Sequence, residues 1–176
     1  MIVYRHVDPR FPFLWETAGQ PSARWHEAGE GPVHYFSSTP DAAWAEFLRH
    51  EEITDPADLA GIERSLWAVE IAKPPRTRPR LPEATLAGGL DSYPACRTEA
   101  RRLRGRGADG LTAPSAAVDP ATPSGFRTDR GLRPAARRRE LVVVLFGRRS
   151  DLVGWAACDV GRPRIDLLGR VRHLDR

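Results

Sequence analysis

Cysteine is almost absent from this 176-residue chain. Cys96 and Cys158 lie far apart without Cys-x-x-Cys spacing, so neither a disulfide framework nor a thiolate zinc site is readable, and both read as packing residues. Long apolar runs are missing too. The longest, Leu141-Val142-Val143-Val144-Leu145-Phe146, falls far short of the roughly 20 residues that span a bilayer, so no membrane contact is expected. The opening residues, Met1 to Asp8, show neither a basic leader nor an apolar stretch, and a cytoplasmic location is the expectation. Lysine is reduced to Lys73 against 26 arginines. The net charge of +4 invites a nucleic-acid reading. The densest cluster, Arg101-Arg102-Leu103-Arg104-Gly105-Arg106, has no interleaved aromatic residue, however, and such a run is more often a solvated helix face. Direct nucleic-acid binding is therefore not expected.

What is present suits a globular core. With 41% apolar and 28% charged residues, one domain over residues 1–176 is expected. A first strand is predicted over Ile2 to His6, and a second where Val33, Tyr35 and Ser37 alternate with His34 and Phe36. Thr39-Pro40-Asp41 supplies a helix start, with Thr39 as N-cap and Pro40 in the first turn, and the helix runs to about His50. Trp67, Val69 and Ile71 recur at period two as a third strand. Four prolines between Lys73 and Pro82 make that stretch a connector. A helix is predicted from Arg97 to about Arg104, then a short strand Leu111 to Ala113, and Leu141 to Phe146 is the best candidate for a buried central strand. Asp8 to Pro32, carrying Trp15 and Trp25, and Asp119 to Pro134 read as loops. The expected class is α+β, a compact domain with a small, heavily looped sheet and flanking helices.

Four pieces stand out together: Tyr4-Arg5, Arg24-Trp25, the strand-to-helix unit from Gly31 to Glu46, and Pro114-Ser115-Ala116. In order and spacing they resemble the RES domain, named for an arginine, a glutamate and a serine. The likeness is densest where Tyr35 in the strand precedes Glu46 in the helix. It implies an ADP-ribosyltransferase-like fold in which Arg24, Glu46 and Ser115 are the family's arginine, glutamate and serine, forming the catalytic set. It also implies that Arg5, Tyr4, Tyr35 and Arg24 bind the dinucleotide. Where the family usually has glycine before the arginine and asparagine just beyond it, this chain has Ser22-Ala23 and His26.

The implied activity is cleavage of NAD as substrate, with no prosthetic group, transferring ADP-ribose to water or phosphate. The implied partner is a small helix-turn-helix antitoxin that restrains a toxin. The residue types suit such chemistry: leaving nicotinamide builds positive charge on the ribose, which a carboxylate favours. Guanidinium forks suit a pyrophosphate, and tyrosine rings suit a flat base. No metal site is expected, because His26 and His34 lack ligand spacing.

Blander readings stand beside these. On a wheel of about 100° per residue, Glu46 lies opposite the Trp44, Phe47 and Leu48 stripe and could merely pair with Arg49 or His50. Arg24 could pair with Glu27, Ser115 could close a strand end, Tyr35 could pack in the core and Arg5 could be a surface charge. The alternative functions are a catalytically degenerate nucleotide-binding protein, or an Arg-rich nucleic-acid binder using Arg97 to Arg106 and Arg133 to Arg139.

Overall fold

The computed structural model describes residues 1–17 and 19–174. Its framework is a six-stranded antiparallel sheet in the order β4-β7-β2-β1-β3-β8, formed by β1 (Ile2–Val7), β2 (Val33–Ser37), β3 (Arg64–Glu70), β4 (Gly110–Pro114), β7 (Leu141–Phe146) and β8 (Val153–Gly161). A separate two-stranded sheet pairs β5 (Phe126–Thr128) with β6 (Leu132–Pro134). Helices α1 (Pro40–His50), α2 (Glu83–Ala87) and α3 (Tyr93–Arg104) flank the large sheet. The arrangement is α+β, as the sequence leads one to expect.

The period-two alternation sorts side chains onto the two faces of this sheet. Val33, Leu111, Ala113, Val142 and Val144 pack against Cys96, Ala100 and Leu103 of α3. On the other face Val3, Phe36, Val69, Val143 and Leu145 meet Phe13 and Leu14 of the long N-terminal loop. The Leu141–Phe146 run is internal, between β4 and β2, and residues 142–145 are buried.

Helix α1 begins as the sequence suggests: the Thr39 hydroxyl accepts the Ala42 N–H at 3.2 Å, with Pro40 in the first turn. Its start is tied down further by the buried Glu140 carboxylate, which accepts from Ser38 Oγ at 2.5 Å and Thr39 Oγ1 at 3.0 Å. One side of α1, with Trp44, Phe47 and Leu48, packs on Tyr4 and Leu66. On the other, Ala42 and Ala45 meet Ala117 and Val118, and these small residues let the helix approach the chain just beyond β4 closely.

Several expectations change. Helix α3 begins at Tyr93 rather than Arg97, because Pro94 occupies its first turn. Residues 119–134 are not all loop, since they contain β5 and β6. Strand β8 has no counterpart among the elements expected from sequence: it is an edge strand with mostly exposed side chains, so burial leaves little pattern on it. Trp25 does not sit on a loop surface but is 1% exposed within the α3 core. The basic face of α3 is laced by carboxylates, with Arg97 and Arg101 on Glu27, Arg101 and Arg104 on Glu30, and Arg102 on Glu99.

Candidate active site

Strands β1 and β2 are joined among the described residues through a single pair, Tyr4 with Ser37. Beyond it Arg5, His6 and Val7 separate from the residues of β2, and a cleft of about 630 Å³ opens between them. Its lining includes Tyr4, Arg5 and His6 from β1, Tyr35 and Phe36 from β2, Glu46 and Arg49 from α1, Arg24 from the N-terminal loop, and Pro114 and Ala116 at the end of β4.

The close approach of α1 to the chain after β4 brings Glu46 to Ser115. The Ser115 hydroxyl donates to Glu46 Oε1 at 2.8 Å and accepts the Ala117 N–H at 3.2 Å, so its proton is committed to the carboxylate. Glu46 Oε2 has no hydrogen bond among the described residues. The surface-pair alternative fails, because Arg49 turns inward and donates to the carbonyls of Ala116 at 3.0 Å and Gly88 at 2.8 Å, and to that of Arg172. Helix α1 is covered on nearly all sides, and Glu46, half-buried, faces the cleft rather than a solvated surface.

Arg5 is not a surface charge. Its Nη1 is buried without a hydrogen-bond partner among the described residues, its guanidinium lies 6.0 Å from the Phe36 ring centroid, and burial lowers its pKa to about 10. A desolvated guanidinium with a free donor at the wall of a cavity is costly until an anion meets it. Arg24 is differently occupied: it donates to Ser92 Oγ at 2.9 Å, the Gly88 carbonyl at 2.7 Å and the Thr85 carbonyl at 3.3 Å, and lies 4.6 Å over the Tyr93 ring. It does not pair with Glu27, which is held by Arg97 and Arg101.

Tyr35 lines the cleft and also ties the loop down. Its hydroxyl accepts the Trp25 N–H at 3.1 Å and lies 2.8 Å from His26 Nδ1, and burial raises its pKa. Tyr4 lines the cleft beside it in the sheet. Sequence reasoning passes over Arg49 as a site residue and does not reach Arg64, whose Nη2 lies 3.4 Å from His6 Nδ1 and whose guanidinium covers the Phe47 ring at 5.2 Å. Burial, then the neighbouring Arg64, depresses the His6 pKa to about 3, keeping that imidazole neutral between the arginines.

The sequence profile of the RES domain matches residues 2–125, which takes in Arg5, Arg24, Tyr35, Glu46, Arg49, Arg64 and Ser115. The chain belongs to the RES domain family. No curated protein matches the chain. Among solved structures, a chain of the crystal structure of the M. tuberculosis MbcT–MbcA toxin–antitoxin complex superposes with a TM-score of 0.59 over 96% of this chain and 86% of that one, at 16% identity. That likeness is one of fold. Arg24, Glu46 and Ser115 do not form one contact here: Glu46 and Ser115 touch, while Arg24 braces the turn between α2 and α3.

Proposed function

We propose that this RES domain cleaves NAD, releasing nicotinamide and transferring ADP-ribose to water or phosphate, and that it acts as the toxin of a toxin–antitoxin pair. The observation that carries the reading is Glu46 on the wall of the cleft, held from behind by the Ser115 hydroxyl, in a cleft that also holds the Arg5 guanidinium, whose buried Nη1 has no hydrogen bond among the described residues. In the reaction the bond between ribose C1′ and the nicotinamide nitrogen breaks and its electron pair leaves with nicotinamide, which becomes neutral. An oxygen of water or phosphate bonds to C1′, and a water nucleophile gives up a proton to solvent. The cationic character that develops at C1′ is what Glu46 favours, with Ser115 fixing one carboxylate oxygen and leaving Oε2 for the sugar.

Arg5 supplies a fork for the pyrophosphate, with Arg49 and Arg64 adding positive potential along the same cleft. Tyr4 and Tyr35 offer flat surfaces to the bases. The cavity lies within the roughly 300–1,000 Å³ usual for cofactor-sized ligands. Residues 1–176 act as one RES-like unit in the cytoplasm, and no prosthetic group is required. The restraining partner is a small helix-turn-helix protein. A toxin–antitoxin complex among the fold's neighbours supports this, as does the rim of the cleft, where Trp15, 53% exposed, stacks on Phe11 at 5.4 Å.

The test is nicotinamide release from NAD by purified protein, paired with expression in a strain lacking any partner gene. Wild type should consume NAD and arrest growth, and folded Glu46→Gln should do neither. Nucleotide binding without nicotinamide release would instead establish the degenerate binding protein.

A further inference from the structure

The two arginine clusters of the sequence have different fates in the fold, and the difference identifies a surface outside the cleft. Those of α3 are met by Glu27, Glu30 and Glu99. Among the described residues the second cluster, Arg133 to Arg139, is met only at its far end, where Arg138 faces Glu140 and Arg139 pairs with Glu83. Between Phe126 and Arg139 six arginines stand against one acidic residue, Asp129, so this segment holds a larger positive surplus than the whole chain's +4. The rest of the chain is close to neutral. Most of the segment is the β5–β6 hairpin, which is exposed along both strands and contributes nothing to the cleft.

The hairpin register makes the surplus directional. Arg127 and Arg133 are directly opposite one another across the two strands, so both side chains project from one face. The other face carries Phe126 opposite Pro134 and Thr128 opposite Leu132. Like charges placed directly across a strand pair oppose hairpin formation. Among the described residues their one ion pair is that of Arg127 with Asp129 at 3.7 Å, and Arg133 has none. At the tip, Arg130 adopts a φ of 50°, a left-handed conformation that glycine or asparagine takes more readily, and it too has no ion pair among the described residues. An arginine pair in mutual repulsion, with a third arginine held in a strained turn, is stabilised by whatever anion comes to them.

We propose that this hairpin is a docking arm for the phosphate backbone of duplex nucleic acid, bound without regard to sequence. Three features favour nucleic acid over an anionic membrane. The charges are all guanidinium forks, which match phosphate oxygens bidentately. The opposed pair Arg127 and Arg133 sits on the hairpin face away from Phe126 and Leu132, and Arg164 already covers the Phe126 ring at 4.6 Å, whereas a membrane surface would have to meet charge and apolar side chains at once. A two-stranded ribbon also has the width of a major groove. The arm is independent of the NAD reading, since it shares no residue with the cleft.

The experiment is fluorescence anisotropy of a short random-sequence DNA duplex with the full chain over a salt series, alongside vesicles rich in phosphatidylglycerol. Wild type should bind the duplex with an affinity that falls steeply with salt. Arg127→Ala with Arg133→Ala should weaken binding at least tenfold at low salt and flatten the log–log salt slope by roughly 2, about one for each phosphate no longer neutralised. Arg127→Lys with Arg133→Lys should keep the slope. The charge-matched control, Arg101→Ala with Arg106→Ala on and just beyond α3, should bind as wild type. All three should melt within a few degrees of wild type and leave nicotinamide release unchanged. Absence of duplex binding at low salt, equal loss in the arm and α3 variants, or binding to vesicles alone would overturn the proposal.

Discussion

Arg24 and Arg49 donate to the same acceptor, the carbonyl oxygen of Gly88, at 2.7 and 2.8 Å. One arginine comes from the N-terminal loop and the other from α1, so this carbonyl at the end of α2 pins three segments around the cleft. Gly88 has no room to vary: a Cβ there would lie 2.9 Å from the Ala84 carbonyl oxygen and 3.1 Å from Ser92 Cβ. Gly88→Ala should cost about 1–3 kcal/mol of stability through that overlap. Arg24→Ala, which strips partners from Ser92 and Thr85, should cost about 2–3 kcal/mol. Urea denaturation of both variants checks this. An Arg24→Ala protein as stable as wild type would remove the bracing role.

Glu46 and Ser115 should separate by size of effect. Glu46→Gln keeps the volume and a hydrogen bond to Ser115 but removes the charge, and nicotinamide release should drop by about a hundredfold or more. Ser115→Ala leaves the charge and loosens its aim, so about a tenfold loss is expected. The rates should be read on protein whose melting temperature matches wild type. A Ser115→Ala loss as deep as that of Glu46→Gln would mean that the serine itself meets the substrate.

At Arg5, stability and the proposed binding role should pull in opposite directions. Its buried Nη1 has no hydrogen-bond partner among the described residues, so Arg5→Met should raise the stability of the unliganded protein by about 1 kcal/mol or more. The same change should raise KM for NAD strongly, and Arg5→Lys should recover little of it, since a point charge does not reproduce a fork. Calorimetry without ligand and steady-state kinetics test the two halves separately. A destabilised Arg5→Met protein would show that the guanidinium already has a compensating partner.

Acid should weaken the fold through its buried histidines. His34 is fully buried, and burial, then Arg5, lowers its pKa to about 4 from the ordinary 6.5, although Glu16 lies 3.7 Å from its Nε2 and acts the other way. Between those two values the unfolded chain binds a proton that the folded chain does not. Stability is therefore full above about pH 6.5 and is lost as pH falls towards 4. His6, held near 3, adds in the same direction. His34→Gln should lose less of its melting temperature than wild type on going from neutral pH to about pH 4.5. Identical losses would assign the acid sensitivity elsewhere.

The elements legible in the sequence are those whose burial imposes a period or whose ends carry a cap. Val33–Ser37, the Thr39-capped helix and the Leu141–Phe146 strand are of this kind. Strand β8 is exposed and edge-placed, and β5 and β6 are three residues each, too short for any period. At the site, family resemblance singles out Glu46 and Ser115, while the wheel taken alone puts Glu46 on a solvated face. The wheel fails because α1 has neighbours on both sides, including Ala117 and Val118, which lie far along the chain from it. Arg49 and Arg64 escape notice because nothing local distinguishes an arginine that lines a cleft from one in solvent.

The lone Tyr4–Ser37 pair makes the middle of the sheet its weakest seam. On one side lie β1, β3 and β8, and on the other β2, β7 and β4, each trio laddered along most of its length. The cleft is thus a gap between two stiff plates that share one rivet. A molecule filling it touches both plates, with Arg5 on one and the Glu46–Ser115 pair beside the other, and so acts as the missing rungs of the ladder. Occupancy and rigidity are then one variable, and the unliganded protein is the softer state along that seam.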